Sequence, residues 1–322
     1  MLALCRRDGS VQLREIEGPR PGRDEALVRV TLAGVCNTDI EIARGYMNFA
    51  GVLGHEFVGV VEECSDPSWL GARVAGEINL ACQRCALCQR GLSRHCPNRT
   101  VLGILGKDGA FAEHLSLPIG NLHRVPESLS DRAACFVEPI AACFEILEQV
   151  RVQPSDQVAV LGDGKLGVLA SLVLRSAGTQ PVLVGKHADK LARARQLGVQ
   201  SAFAADLPRK TFDVVIEATG SPSGMQLAIE LVRPRGTLVL KSTYHGSLSL
   251  DAAPLVIDEI SLVGSRCGPF PPAIAELAAG SLDPRPLIDG VYALHEAERA
   301  LEHAAERGVL KVLISTSDAG AD

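Results

Sequence analysis

No run in this chain approaches the roughly 20 consecutive apolar residues that a membrane helix needs, so no membrane partner is expected. Surplus positive charge is lacking too: 38 Asp and Glu against 32 Lys and Arg leave a formal charge of -6. Phosphate backbones are held by clustered Lys and Arg, so nucleic acid is not an expected partner. The opening residues 1–7 are too short and too soon charged to read as a secretory signal. Internal repeats and low-complexity segments are missing, and aromatic residues amount to 4%. What remains is an apolar-rich chain with 31 glycines, the composition of an α/β protein, and 322 residues suffice for two domains with their own cores. Ten cysteines without a secretory signal point to reduced thiols and a cytoplasmic address.

Four of those cysteines, Cys82, Cys85, Cys88 and Cys96, fall in the run Cys-x-x-Cys-x-x-Cys-x7-Cys. Two-residue gaps let neighbouring thiolates turn back on one ion, and the longer gap supplies a fourth corner. This is the pattern of a closed structural zinc site, with two disulfides or an Fe–S cluster as the competing readings. Polar and turn-forming residues around them (Gln83, Arg84, Gln89, Arg90, Gly91, Pro97, Asn98) suit a lobe built around an ion. Cys5, Cys64, Cys135, Cys143 and Cys267 have no ligand-like spacing and read as small buried hydrophobes.

The chain changes character near Glu138. Before it, short alternating runs such as 26–32 and 57–62 are broken by Gly and Pro, a β-rich pattern. After it, strands at 158–161, 182–184, 202–204, 213–217, 237–241 and 261–264 alternate with amphipathic stretches at 165–177, 189–197 and 223–232. That alternation predicts a parallel, doubly wound sheet. The tail reads as helices at 271–280 and 294–307 and a strand at 310–314, expected to pack back on the first domain. The expected division is 1–138 with 268–322, carrying the lobe 82–96, and 139–267.

Gly162-Asp163-Gly164-Lys165-Leu166-Gly167 follows the apolar strand 158–161 and opens a helix. In that frame the glycines make a dinucleotide fingerprint: the first for the turn, the second for close approach of the pyrophosphate, the third for helix–strand packing. The helix N-terminus then favours the anion. The second strand ends in Gly185-Lys186-His187, without the Asp or Glu that usually binds the ribose 2′-hydroxyl. A lysine beside a histidine would attract a 2′-phosphate, which favours NADP(H) over NAD(H), unless Lys186 is a solvated loop residue.

Three further segments carry ligand types: Cys36-Asn37-Thr38-Asp39, Gly54-His55-Glu56 and Glu138-Pro139. Singly, each has an ordinary reading as core thiol, turn histidine or helix-start acid. Taken together, Gly-Val-Cys-x-Thr-Asp at 34–39, Gly-His-Glu at 54–56, the four-cysteine lobe, Gly-Ala-Phe-Ala-Glu at 109–113, Glu-Pro at 138–139 and the fingerprint at 162–167 resemble the zinc-dependent medium-chain alcohol dehydrogenase family, in its polyol and threonine dehydrogenase-like branch. The resemblance spans nearly the whole chain. It implies a GroES-like catalytic domain plus a Rossmann domain, and two zinc ions per chain, one catalytic and one structural. It implies Cys36 and His55 as catalytic ligands, Glu56 as an exchangeable ligand or nearby carboxylate, and Glu138 as a contact made directly or through water. Asp39 would orient His55, and Thr38 would pass the alcohol proton out. Thr219, Gly220 and Ser242 would line the ribose and nicotinamide, and Lys311 would lie near the pyrophosphate, with a surface lysine as the alternative.

The implied reaction is hydride transfer between a nicotinamide and an alcohol or carbonyl substrate, with zinc as Lewis acid. A non-catalytic NADPH-binding sensor of the same fold is the alternative. Where liver-type alcohol dehydrogenases end their proton relay in histidine, this chain has Glu41, and it is shorter than many relatives between 61 and 74. Tyr46, Met47, Phe49 and Phe111 are candidates for pocket walls or core packing, and Arg44 for an anion contact or a solvated charge. The substrate class reads as a secondary alcohol or polyol, and the family expectation is a homodimer or homotetramer.

Overall fold

The computed structural model describes residues 1–243, 248 and 250–316, in two compact units. One comprises Met1–Glu138 and the chain from Pro284 onward; the other is Pro139–Asp283.

The first unit is β-rich, as expected. Its central strand Glu25–Gly34 buries Ala26, Val28, Val30 and Leu32 and turns Arg29 and Thr31 away, the period of two that a half-buried strand requires. It pairs antiparallel with Glu56–Cys64, His114–Pro118 and Lys311–Ser315. The pairing with Glu56–Cys64 sets Gly34 opposite Glu56, which brings two of the ligand-bearing segments to one end of the sheet. The helix Asn37–Ala43 follows directly on the strand and carries Thr38 and Asp39.

The second unit is the predicted parallel sheet. Strand order is Gln200–Phe203, Val182–Gly185, Val158–Leu161, Phe212–Glu217, Val232–Leu240, Ser261–Gly264, the doubly wound order that reverses direction beside its first strand. Val158–Leu161 lies at the centre, and its four side chains are almost fully buried. Such a strand reads as a continuous apolar run because helices cover both faces. Four of these strands extend or shift relative to expectation, most of all the fifth, which starts at Val232 despite Pro234 and Gly236.

The tail differs from expectation in two ways. The helix Phe270–Ala278 belongs to the second unit, so the chain returns to the first at Pro284 and not at 268. An unexpected strand, Ile288–Ala293, pairs parallel with Lys311–Ser315. Asp289 and Gly290 break its alternation and none of its side chains is fully buried, so the periodic signal is weak. The helix Ala297–Ala304 is shorter than the stretch 294–307 suggested. Residues 317–322 of the expected first domain lie outside the described residues.

Candidate metal centres and dinucleotide site

In the lobe, Cys82, Cys85, Cys88 and Cys96 bring their sulfurs within 4.8 Å of one another. Cys85 Sγ is 3.5 Å from Cys88 Sγ and 3.8 Å from Cys96 Sγ, and Cys96 Sγ is 3.5 Å from Cys82 Sγ. A disulfide would require about 2.05 Å, and no cysteine among the described residues is joined in one. Four sulfurs about 2.3 Å from one tetrahedral ion stand about 3.8 Å apart, so these spacings fit a single zinc. Backbone N–H groups of Arg84 and Cys85 draw the Cys82 thiol down to about 6, while desolvation and the adjoining sulfurs push Cys88 up to about 11. Some sulfurs favour the thiolate and others keep a proton, a balance that a dication would displace.

The second cluster is assembled from distant segments. Donor atoms of Cys36, His55 and Glu56 lie within 4.8 Å of one another, with His55 and Glu56 buried and Cys36 half-buried. Asp39 holds them together. Its Oδ2 accepts the Cys36 N–H at 2.8 Å, and its Oδ1 accepts the Gly54 N–H at 3.2 Å and sits 3.2 Å from His55 Nδ1. That leaves Nε2 of His55 for an ion. Burial pulls the imidazole pKa down, but Asp39 and Cys36 outweigh it and hold it well above the usual histidine range. The Thr38 hydroxyl is 3.7 Å from Cys36 Sγ.

Sequence reasoning missed the partner of Glu56. Lys311 Nζ forms an ion pair with Glu56 Oε2, lies 3.5 Å from the Val35 carbonyl and sits 5.4 Å from the Phe136 ring centre. Both side chains are essentially inaccessible. The surface alternative for Lys311 is thus overturned, and its ammonium is engaged beside the donor cluster. Burial lowers its pKa to about 8, against the opposing pull of Cys36 and Asp39. A Cβ on Gly34 would fall 2.5 Å from Lys311 Nζ and 2.8 Å from Glu56 Oε2, so only glycine admits this pair. Glu138 is half-buried in the first turn of the helix Val137–Gln149.

Of the candidate pocket residues, Phe111 and Phe49 are buried in the core, Tyr46 is half-buried and Met47 is exposed. Arg44 is exposed and pairs with Glu41 at 2.9 Å, which matches its solvated reading. Of the cysteines read as core thiols, Cys5, Cys135 and Cys143 are buried, whereas Cys64 and Cys267 are half-buried.

In the second unit the fingerprint glycines meet their three requirements. Gly162 has φ +114°, and a Cβ there would come 2.7 Å from the Ala218 carbonyl oxygen. Gly164 has open space where a side chain would stand, as close approach of a pyrophosphate demands. A Cβ on Gly167 would fall 1.8 Å from the Gly162 oxygen, so helix and strand pack in direct contact. Gly164 caps the helix Lys165–Ser176, whose first residues Lys165 and Leu166 are half-buried. These residues therefore fit a dinucleotide.

At the neighbouring strand end, Lys186 is exposed and His187 caps the helix Ala188–Gln196. Asp163, not singled out from the sequence, accepts the Lys186 and His187 N–H groups at 2.8 Å each. Its presence inside the fingerprint opposite Gly-Lys-His was the available signal. Farther along the sheet, Glu217 Oε1 accepts the Thr219 N–H and hydroxyl at 2.7 and 2.5 Å, and Gly220 stands next to Ser242.

Comparison with known proteins finds relatives of both units. Residues 22–127 match the alcohol dehydrogenase GroES-like domain and residues 166–279 match the zinc-binding dehydrogenase domain. The L-threonine 3-dehydrogenase of Streptomyces avermitilis is 32% identical, over 94% of this chain and 95% of its own length. A zinc-binding dehydrogenase of Sinorhizobium meliloti 1021, solved bound to NADP, superposes with a TM-score of 0.89 at 28% identity, over 98% of each chain. An alcohol dehydrogenase of Escherichia coli CFT073, solved with NADH, gives a TM-score of 0.90 at 25% identity, over 98% of this chain and 99% of that one.

Proposed function

Since this chain belongs to the zinc-dependent medium-chain alcohol dehydrogenase family, we propose that it interconverts a secondary alcohol or polyol and its carbonyl compound, using two zinc ions and NADP(H) in preference to NAD(H). The observation that carries this reading is the convergence of Cys36, His55 and Glu56, with Asp39 behind the imidazole. A protein that merely binds a dinucleotide has no need of such donors.

When bound, zinc supplies a Lewis acid that acidifies an alcohol or polarises a carbonyl, and the nicotinamide accepts or gives the hydride. The chain's own residues do the rest. Cys36 and His55 would hold the ion, with Glu138 as a further contact made directly or through water. Asp39 fixes the tautomer and orientation of His55, a task whose loss typically costs 10–100-fold. Lys311 anchors the Glu56 carboxylate, which is then available as an exchangeable ligand. Thr38 Oγ1, beside Cys36 Sγ, takes the proton of the alcohol and hands it to solvent. Gly162, Gly164 and Gly167, with Lys165 and Leu166, receive the pyrophosphate. Thr219, Gly220 and Ser242 contact the ribose and nicotinamide, and Lys186 and His187 face the 2′-phosphate. In the lobe, Cys82, Cys85, Cys88 and Cys96 would hold the second zinc, whose part would be to keep residues 82–96 folded.

No helix among the described residues is long and apolar enough to cross a membrane. Ten cysteines with no disulfide among the described residues suit a cytoplasmic setting. The edge strand Ser261–Gly264, with Leu262, Val256 and Ile257 exposed nearby, supports assembly into a homodimer or homotetramer. Metal analysis of purified protein, with NADPH and NADH oxidation on a panel of ketones, aldehydes and ketoses, tests the whole reading. Two zinc ions and NADPH-dependent turnover are expected. One zinc, dinucleotide binding and no turnover would replace it with the sensor.

A further inference from the structure

We propose that Asp163 sets the balance between NADP(H) and NAD(H), by supplying from the fingerprint loop the acid that the second strand lacks. The inference rests on the reading of residues 162–167 as the dinucleotide site.

The space at the end of the strand Val182–Gly185 is filled from outside the strand. A Cβ on Gly185 would lie 2.4 Å from Asp163 Oδ2, 2.5 Å from its Cβ and 2.7 Å from its Cγ. The aspartate therefore occupies the position that a side chain at Gly185 would take. Its Oδ2 accepts the N–H groups of Lys186 and His187 at 2.8 Å, and both oxygens lie 3.0 Å from His187 Nδ1. The carboxylate is only 9% exposed. Burial raises its pKa, but the His187 ring and the two backbone N–H groups outweigh that and keep it below the usual carboxylate range. At neutral pH it is a fixed negative charge.

Two consequences bear on the 2′ position of the ribose. Backbone N–H groups at the start of the helix Ala188–Gln196 are natural donors to a phosphate, yet those of Lys186 and His187 are already taken by Asp163. A 2′-phosphate at this strand end also meets a like charge, whereas a 2′-hydroxyl meets an acceptor. Lys186, exposed beside it, pulls the other way. Discrimination is then the difference between two opposed charges, one on the loop and one on the strand end. Two relatives of nearly the same fold carry NADP and NADH, so the fold alone does not decide the matter.

Calorimetric titration of the full-length, zinc-loaded protein with NADP+ and NAD+ separates the contributions. Asp163→Asn keeps the shape and an accepting oxygen but removes the charge. It should tighten NADP+ relative to NAD+ by about tenfold, with the melting temperature reporting that the turn survives. Asp163→Ser, which keeps a shorter acceptor, should shift the ratio in the same direction. An unchanged ratio, or equal weakening of both dinucleotides, would reduce Asp163 to a tether for the turn and overturn the proposal. Lys186→Gln tests the underlying NADP(H) reading separately, with a loss expected for NADP+ alone. If Lys186→Gln leaves the ratio unmoved while Asp163→Asn shifts it, the lysine reading fails and the aspartate reading stands. Wild-type protein that binds neither dinucleotide would overturn both.

Discussion

The two donor clusters of the first unit are built on opposite plans. The lobe draws four like ligands from one stretch, residues 82–96, leaves three of them half-exposed and tunes them with backbone N–H groups. The other cluster draws unlike ligands from residues 36, 55 and 56, buries the imidazole and the carboxylate, and holds them with charged side chains, Asp39 and Lys311. A closed site needs only a chain that can wrap an ion, because the ion itself completes the order. An open site has to hold its ligands in place while one position stays free for substrate, so the scaffold must supply the order. Buried charges are the means, and each depends on its partner.

The sharpest way to break that contrast is to remove one ligand from each cluster. His55→Ala should lower kcat/KM by at least about 10³-fold, since several kcal/mol of transition-state stabilisation go with the ion. Zinc content should fall from two to one, with residues 82–96 still resistant to protease. Cys88→Ser should also leave one zinc, but here the loss should appear as protease cleavage within the lobe and a lower melting temperature. Protease cleavage within the lobe in both variants would erase the distinction. Next in size is Lys311→Met, which leaves Glu56 buried and unpaired and should destabilise the protein by about 3–5 kcal/mol in urea unfolding. Pairing it with Glu56→Gln should recover much of that loss, and a strictly additive double variant would show that the two side chains do not act as a unit.

How legible each cluster was in the chain follows from the same difference. Spacing alone pointed to the lobe, because its ligands are neighbours in sequence and Cys-x-x-Cys geometry is local. Cys36, His55 and Glu138 each had an ordinary reading, and only the order of motifs along the whole chain joined them. The Lys311–Glu56 pair was illegible because 255 positions separate its members, and a buried lysine looks like any other in a sequence. Parallel strands and fingerprint glycines were readable, since apolar runs and turn chemistry are local signals. The strand Ile288–Ala293 and the return at Pro284 were not, because they depend on pairing across the tail.

Smaller effects sharpen the contrast at the level of supporting contacts. Asp39→Asn should weaken zinc at the buried cluster by about 10–100-fold, because it removes the charge behind the imidazole and leaves the ring tautomer unspecified. The equivalent support in the lobe is Asn98, whose Nδ2 lies 3.9 Å from Cys82 Sγ on an exposed surface. An N–H to sulfur contact that long, open to competing water, contributes little. Asn98→Ala should therefore change lobe zinc affinity by no more than about threefold in a chelator competition. Four thiolates that the ion itself organises do not need a neighbour to aim them. A loss for Asn98→Ala as large as that for Asp39→Asn would mean the lobe, too, is held by its surroundings and not by its metal.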